Sequence, residues 1–166
     1  MATITLQGNE IHTNGELPAV GDKAPEFKLV GKDLSDVALK EFDGKKKLIS
    51  IVPSLDTPVC ATSTKKFSDL AKEREDVVVL IVASDLPFAM SRFCTSESVD
   101  NVITLSMMRN RNFAKEYGVL IEDGPLQGIT ARAVLVLDAD NSVIYSELVG
   151  EISNEPDYDA AISSLA

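Results

Sequence analysis

The sequence predicts an α/β fold, and three stretches predict it. Val77–Ala83 is an unbroken apolar run, the pattern of a central strand covered on both faces. Leu48–Val52 is a second buried-strand pattern, followed at Thr57-Pro58 by a helical stretch to about Arg74; Phe67, Leu70 and Ala71 give that stretch an i, i+3, i+4 apolar stripe. Arg132–Leu137 and Val143–Leu148 read as two strands joined by the turn residues Asp138-Ala-Asp-Asn141.

The remaining elements fall around these. Ile4 to Thr13 alternate about Gly8-Asn9 and predict an N-terminal hairpin. Pro18 to Pro25 reads as a loop, and Phe27–Val30 and Val37–Leu39 as two short strands. Lys45-Lys46-Lys47, just after Asp43-Gly44, reads as a solvated turn rather than a targeting signal. Pro87 starts a short helical turn through Phe93-Cys94, Val102–Leu105 is a strand, and Asn112–Tyr117 is a helix stopped by Gly118. Pro156 to Leu165 closes the chain as a helix. From Leu48 onward this is a βαβ unit, an inserted strand and helix, then an antiparallel ββα unit. That is the order of the thioredoxin fold, with a cysteine after its first core strand.

The 166 residues, 45% of them hydrophobic, suffice for one core, so residues 1–166 are expected to form a single domain with 1–16 as a hairpin extension. A formal charge of −10 argues against nucleic acid or an anionic membrane as partners. No window approaches a membrane-spanning apolar run and no basic-plus-apolar leader is seen, so a soluble, cytoplasmic protein is expected. Two cysteines are too few for a disulfide scaffold, and with His12 alone they do not make a four-ligand zinc site. His12, within the hairpin, reads as incidental. No glycine-rich phosphate or dinucleotide motif occurs.

Chemistry concentrates at Pro53-Ser-Leu-Asp-Thr57-Pro-Val-Cys60. Cys60 falls in the first turn of the predicted helix, where free N–H groups and the dipole favour a thiolate. Bringing an ordinary thiol from ~8.5 to about 6 takes roughly 3 kcal/mol, and a helix N-terminus supplies only about 0.5–2 kcal/mol. A cation is therefore wanted. Arg132 begins a strand able to pair beside the one ending at Pro53, and otherwise reads as a surface salt-bridge residue. Thr57 before Pro58 reads equally as an N-cap. Pro53 reads as a strand stop, and Cys94 as a small buried hydrophobe. Met107-Met108, Phe88, Met90 and Phe93 read as core, with the Phe88–Phe93 group alternatively lining an apolar collar.

Pro-x-x-x-Thr-x-x-Cys, at Pro53, Thr57 and Cys60, resembles the active-site motif of peroxiredoxins. The wider context resembles one branch, the atypical two-cysteine bacterial thiol peroxidases. It is carried by Phe42-Asp-Gly44-Lys, Asp56-Thr-Pro-Val-Cys60, Asp85-Leu-Pro-Phe88, Ser91-Arg-Phe-Cys94, Asn101-Val-Ile-Thr-Leu105, Thr130-Ala-Arg132-Ala-Val and Glu155-Pro-Asp-Tyr158. The resemblance implies a thioredoxin-like fold and a thiol peroxidase with no metal, haem or flavin cofactor. It makes Cys60 the peroxidatic and Cys94 the resolving cysteine of an intramolecular disulfide, with Thr57, Arg132 and Pro53 completing the site. Hydrogen peroxide and organic (alkyl) hydroperoxides are the implied substrates, thioredoxin the reductant and a homodimer the assembly. Two rivals remain on the residues alone. Cys60-Ala-Thr-Ser63 is a CxxS arrangement suited to a monothiol disulfide oxidoreductase, and two reactive cysteines also suit a redox-sensing binding module.

Overall fold

The computed structural model describes residues 1–166. A seven-stranded sheet runs β4-β3-β7-β6-β5-β8-β9, with a separate two-stranded hairpin β1-β2. The strands are β1 (Thr3–Leu6), β2 (Asn9–His12), β3 (Lys28–Val30), β4 (Asp36–Ala38), β5 (Lys46–Ile51), β6 (Val77–Ala83), β7 (Ile103–Ser106), β8 (Ala133–Leu137) and β9 (Val143–Leu148). The α-helices are α1 (Pro58–Glu73), α2 (Pro87–Ser96), α3 (Asn112–Glu116) and α4 (Tyr158–Ser163).

β5, β6 and β7 are parallel, while β8 runs antiparallel to β5 and to β9. The thioredoxin-fold order is thus met, with β7 and α3 as the insertion. The period-2 pattern divides the core into two layers. Ile49, Ile51, Leu80, Val82, Leu135 and Leu137 face a layer with Phe27, Phe113 and Tyr117. Leu48, Val52, Val79, Ile81, Val134 and Val136 face α1, α2 and α4. β6 is buried on both faces, as its unbroken apolar run predicts.

Four expectations need correction. The hairpin turn is Gln7-Gly8, one residue earlier than Gly8-Asn9, because Leu6 pairs with Asn9. Both turn residues have positive φ, 51° and 82°, the twist a two-residue hairpin turn demands, and glycine meets it without strain. Leu39 opens a 3-10 turn, Leu39–Phe42, instead of ending a strand. α2 continues to Ser96, so Cys94 lies inside a helix rather than at its last residue.

The fourth correction is the lysine run. Lys46 and Lys47 belong to β5, and Lys47 is 0% exposed. Its ammonium donates to the carbonyls of Asp138 and Ala139 at 3.3 and 3.4 Å. Burial lowers its pKa, while Asp43, Asp138 and Asp140 oppose that. A charge run reads as solvated until a turn supplies carbonyls to receive one member of it.

The hairpin is tied to the end of β9. Thr5 N–H donates to the Gly150 carbonyl at 2.8 Å, and Glu151 accepts from Thr5 Oγ1 and Gly8 N–H, both at 2.9 Å. The bond from Ser153 N–H first, then those from Gly8 and Thr5, hold the Glu151 carboxyl down at about 2. His12 Nδ1 lies 2.7 Å from Asp123 Oδ2, a second tie for the hairpin.

Candidate active site

α1 buries one stripe, including Cys60, Thr64, Phe67 and Leu70, against the sheet. Helical spacing puts Cys60 at the N-terminal end of that stripe, so its sulfur faces the strands and the residue is 0% exposed. The strands supply the cation. β5 and β8 pair Ile51 with Ala133, and one more step of that register sets Arg132 opposite Val52. Arg132 shares the parity of Val134 and Val136, which pack in the cluster containing Cys60. Its guanidinium therefore comes out under α1.

Arg132 Nη1 donates to Cys60 Sγ at 2.9 Å, and its Nε donates to the Ile152 carbonyl at 3.0 Å. Arg132 is only 3% exposed. A buried guanidinium costs several kcal/mol unless it is matched, and no carboxylate salt bridge reaches it. The sulfur is the one group placed to match it. The surface salt-bridge reading of Arg132 does not hold.

Thr57 occupies the N-cap position of α1 with extended backbone (φ −98°, ψ 147°), yet its side chain makes no capping bond. Its hydroxyl instead donates to the Ser54 carbonyl at 2.9 Å. Pro58 has no N–H, and the N–H groups of Val59 and Cys60 find no protein acceptor. The helix thus opens on two free donors beside the thiol, where a dipole favours negative charge. Pro53 is buried two residues past the end of β5 and offers no donor of its own. The Val52 carbonyl before it accepts the Thr130 hydroxyl at 3.1 Å, which joins the Pro53 arm to the Arg132 arm.

Cys94 lies on α2, half-buried and packed on the same apolar layer as Cys60. Both cysteines are free thiols. Burial pushes the Cys94 thiol above its ordinary pKa, and Lys32 pulls it partly back. Cys94 lines a cavity of ≈ 590 Å³ together with Lys32, Ser91, Thr95 and Asp100. A groove of ≈ 370 Å³ passes Thr57, Pro58, Ala61, Arg92 and Phe93, between the start of α1 and α2. Met90, Phe93 and Met107 are buried as expected, but Phe88 and Met108 are 65% and 37% exposed, and Leu86 51%. Of the Phe88–Phe93 group, it is Phe93 that lines the groove.

Three supporting groups lacked an assignment from sequence. Thr130 is one. Asp85 is another: it accepts from Ser54 Oγ at 2.8 Å and Leu55 N–H at 2.7 Å, bracing the loop before Thr57. The third is Tyr158, whose ring meets Phe67 edge-on at 5.3 Å and whose hydroxyl donates to Glu155 at 2.9 Å. Burial first, then that hydrogen bond, raise the Tyr158 phenol above its ordinary value, and the residue is close enough to respond to both Arg132 and Cys60. All three sit in segments the family resemblance singles out, but neither periodicity nor spacing discloses what they bond.

Comparisons with known proteins identify the family. A family profile described as redoxin matches residues 19–162. A thiol peroxidase of Corynebacterium glutamicum is 48% identical over 165 residues, covering 99% of each chain. Among solved structures, a peroxiredoxin-like protein from Aquifex aeolicus superposes with a TM-score of 0.93 at 44% identity, over 99% of this chain and 96% of that one. A thiol peroxidase from Chromobacterium violaceum does so at 0.89 and 29% identity, over 98% and 94% of the two chains. The chain therefore belongs to the redoxin family and, within it, to the thiol peroxidases, thiol-dependent oxidoreductases of the peroxiredoxin type.

Proposed function

We propose that this thiol peroxidase reduces hydrogen peroxide and, preferentially, organic hydroperoxides through Cys60, with Cys94 resolving and thioredoxin restoring the dithiol. The observation that carries the reading is the Arg132–Cys60 contact of 2.9 Å in a site without exposed sulfur. As a thiolate, Cys60 gives the buried guanidinium its counter-charge, and anionic sulfur is the nucleophilic form. Attack on one peroxide oxygen forms the S–O bond of a sulfenic acid and breaks the O–O bond. The leaving alkoxide or hydroxide takes a proton and departs as alcohol or water.

Charge develops on the leaving oxygen in that step. Arg132, held by the Ile152 carbonyl, and the free Val59 and Cys60 N–H groups provide donors fixed in advance for it. Thr57 already donates to Ser54, so its oxygen is left to accept the O–H of an incoming peroxide. Pro53 adds a wall without a competing donor. Phe93 along the groove gives an alkyl group an apolar contact.

In resolution, Cys94 sulfur attacks the Cys60 sulfenic acid, an S–S bond forms and water leaves. A disulfide requires Cα atoms within about 7 Å, which two intact helices seldom allow, so the first turn of α1 and the end of α2 unwind locally. A dithiol reductant, thioredoxin in this proposal, then exchanges with the disulfide and leaves oxidised. The protein acts as one domain in the cytoplasm, and the exposed Leu86 and Phe88 near the site supply apolar surface for a homodimer.

The CxxS reading fits less well. Cys60 is 0% exposed, and Ser63 Oγ donates to the Cys60 carbonyl at 3.1 Å rather than to its sulfur. A coupled assay with thioredoxin, its reductase and NADPH tests the proposal. Peroxide should disappear in large molar excess over protein, with NADPH consumed one for one. Consumption limited to one equivalent would leave a sensor, and disulfide reduction without peroxide turnover would leave an oxidoreductase.

A further inference from the structure

We propose that Asp85 is a positioning residue for the peroxide reaction, clamping the Pro53–Thr57 loop to the junction between β6 and α2; this rests on Cys60 being the peroxidatic thiol. Asp85 lies between Ala83, the last residue of β6, and Pro87, the first of α2. Its main chain is anchored, because its carbonyl accepts the hydroxyl of Ser106, a fully buried residue ending β7. Its carboxylate reaches across to the neighbouring loop and uses its two oxygens separately. Oδ1 accepts from Ser54 Oγ at 2.8 Å and Oδ2 from Leu55 N–H at 2.7 Å.

Those two bonds control the rest of the loop. Ser54 Oγ, having donated to Asp85, accepts the Asp56 N–H at 3.1 Å. The Ser54 carbonyl accepts both the Thr57 hydroxyl at 2.9 Å and the Thr57 N–H at 3.3 Å. Asp85 fixes Ser54, and Ser54 fixes Thr57, three residues before Cys60. Few groups compete for the work, since Pro53 and Pro58 carry no N–H. A carboxylate can take both donors at once, one on each oxygen, and so holds a side chain and a backbone group of the loop together. The Arg132–Cys60 contact reaches the sulfur from β8 and does not pass through Asp85.

That separation sets the test. Losing the clamp should displace Thr57 and the pocket wall, and so slow peroxide attack, while leaving the thiolate made by Arg132 in place. Rapid mixing measures Cys60 oxidation by peroxide; alkylation by iodoacetamide at pH 7, with Cys94 replaced by serine so that only Cys60 is read, measures the reactivity of the sulfur towards a reagent that is not a peroxide. Asp85→Ala should lower the peroxide rate constant by on the order of tenfold to a hundredfold, the scale of a misplaced reactant, and change alkylation by less than about twofold. Asp85→Asn, which keeps an oxygen for Leu55 N–H, should recover part of the loss. Ser54→Ala should fall between Asp85→Ala and the unmodified protein, and it reads the same clamp if Asp85→Ala fails to fold. Peroxide rates within twofold of the unmodified protein, or peroxide and alkylation rates falling by one common factor, would overturn the proposal. Unmodified protein and Cys60→Ser run in the same assay. Peroxide turnover surviving in Cys60→Ser sinks the underlying reading, whereas normal controls with an indifferent Asp85→Ala sink only this one.

Discussion

Cys60 and Cys94 are packed on one apolar layer, yet almost every physical feature of their surroundings differs. Cys60 has no exposed surface, sits in the first turn of a 16-residue helix and has a guanidinium 2.9 Å from its sulfur. Cys94 is half-buried in a 10-residue helix, and no hydrogen bond reaches its sulfur. Burial favours the protonated form of Cys94. In the proposed mechanism the first meets peroxide where it sits, and the second has to travel to meet its product. That mechanism asks for an activated nucleophile at Cys60 alone, because the sulfenic acid it would become is an electrophile awaiting a nearby thiol.

The hardest blow to that contrast is Cys60→Ser. Serine nearly keeps the volume but stays protonated, so peroxide consumption should fall to background while melting temperature and circular dichroism stay close to normal. A variant holding a tenth of normal turnover would remove Cys60 from its role.

Cys94→Ser should spare the first oxidation and stop the cycle after it. The sulfenic acid should persist long enough to be trapped by a sulfenic-specific reagent, then drift to sulfinic acid in excess peroxide. Thioredoxin-dependent turnover should collapse, because the chain has only two cysteines and none replaces Cys94. In the unmodified protein, disulfide closure should quicken as pH rises above neutral, since burial holds the Cys94 thiol protonated there. Steady turnover of Cys94→Ser on thioredoxin alone would make Cys94 a packing residue.

Arg132→Met keeps part of the stem and removes the charge. A lost charged hydrogen bond of about 1.5–3 kcal/mol corresponds to roughly a tenfold to hundredfold lower thiolate reactivity at neutral pH. Alkylation of Cys60 at pH 7, followed with Cys94 replaced by serine, should show that loss directly. Global stability should fall modestly, by about 1–3 kcal/mol, because the buried Ile152 carbonyl loses its donor. An unchanged alkylation rate would mean that the contact in the structure does nothing for the sulfur.

The rigid half of this contrast was more legible in the sequence than the mobile half. Apolar runs and a threonine–proline start located β5, β6 and α1, and with them the place of Cys60 in the first turn of its helix. The order of elements put Arg132 beside Pro53. What sequence did not show was where single polar groups bond. Thr57 looks like a cap and is not one; Lys47 looks solvated and is buried; Asp85 and Thr130 brace the site through bonds to segments 30 and 78 positions away in the chain. Periodicity reports which face a residue occupies, whereas these bonds depend on how strand ends and loops meet. The surroundings of Cys94 were missed for a related reason: the end of α2 is set by a cap residue that gives no glycine signal.

That cap furnishes the finest test. α2 ends with Ser98 N–H donating to the Thr95 carbonyl at 3.3 Å and Val99 N–H to the Cys94 carbonyl at 2.8 Å. This paired pattern closes many helices and needs a left-handed residue, here Ser98 at φ 56°. Glycine normally takes that place, and a side chain there costs about 1 kcal/mol or somewhat more. One bond of the pair grips the carbonyl of Cys94 itself, so the strained Ser98 backbone sits at the end of α2 that the proposed resolution has to open. Ser98→Gly should relieve the strain and raise the melting temperature by a few degrees, on the scale of about 4 °C per kcal/mol. If α2 must unwind for the disulfide to form, the same change should slow closure about two- to fivefold, since up to roughly 1 kcal/mol is added to the cost of unwinding. Oxidation of Cys60 by peroxide should stay unaltered, and more sulfinic acid should accumulate per cycle under excess peroxide. Closure at an unchanged rate in a stabilised Ser98→Gly protein would show that Cys94 reaches Cys60 without opening the end of its helix, and the two cysteines would then differ in charge but not in mobility.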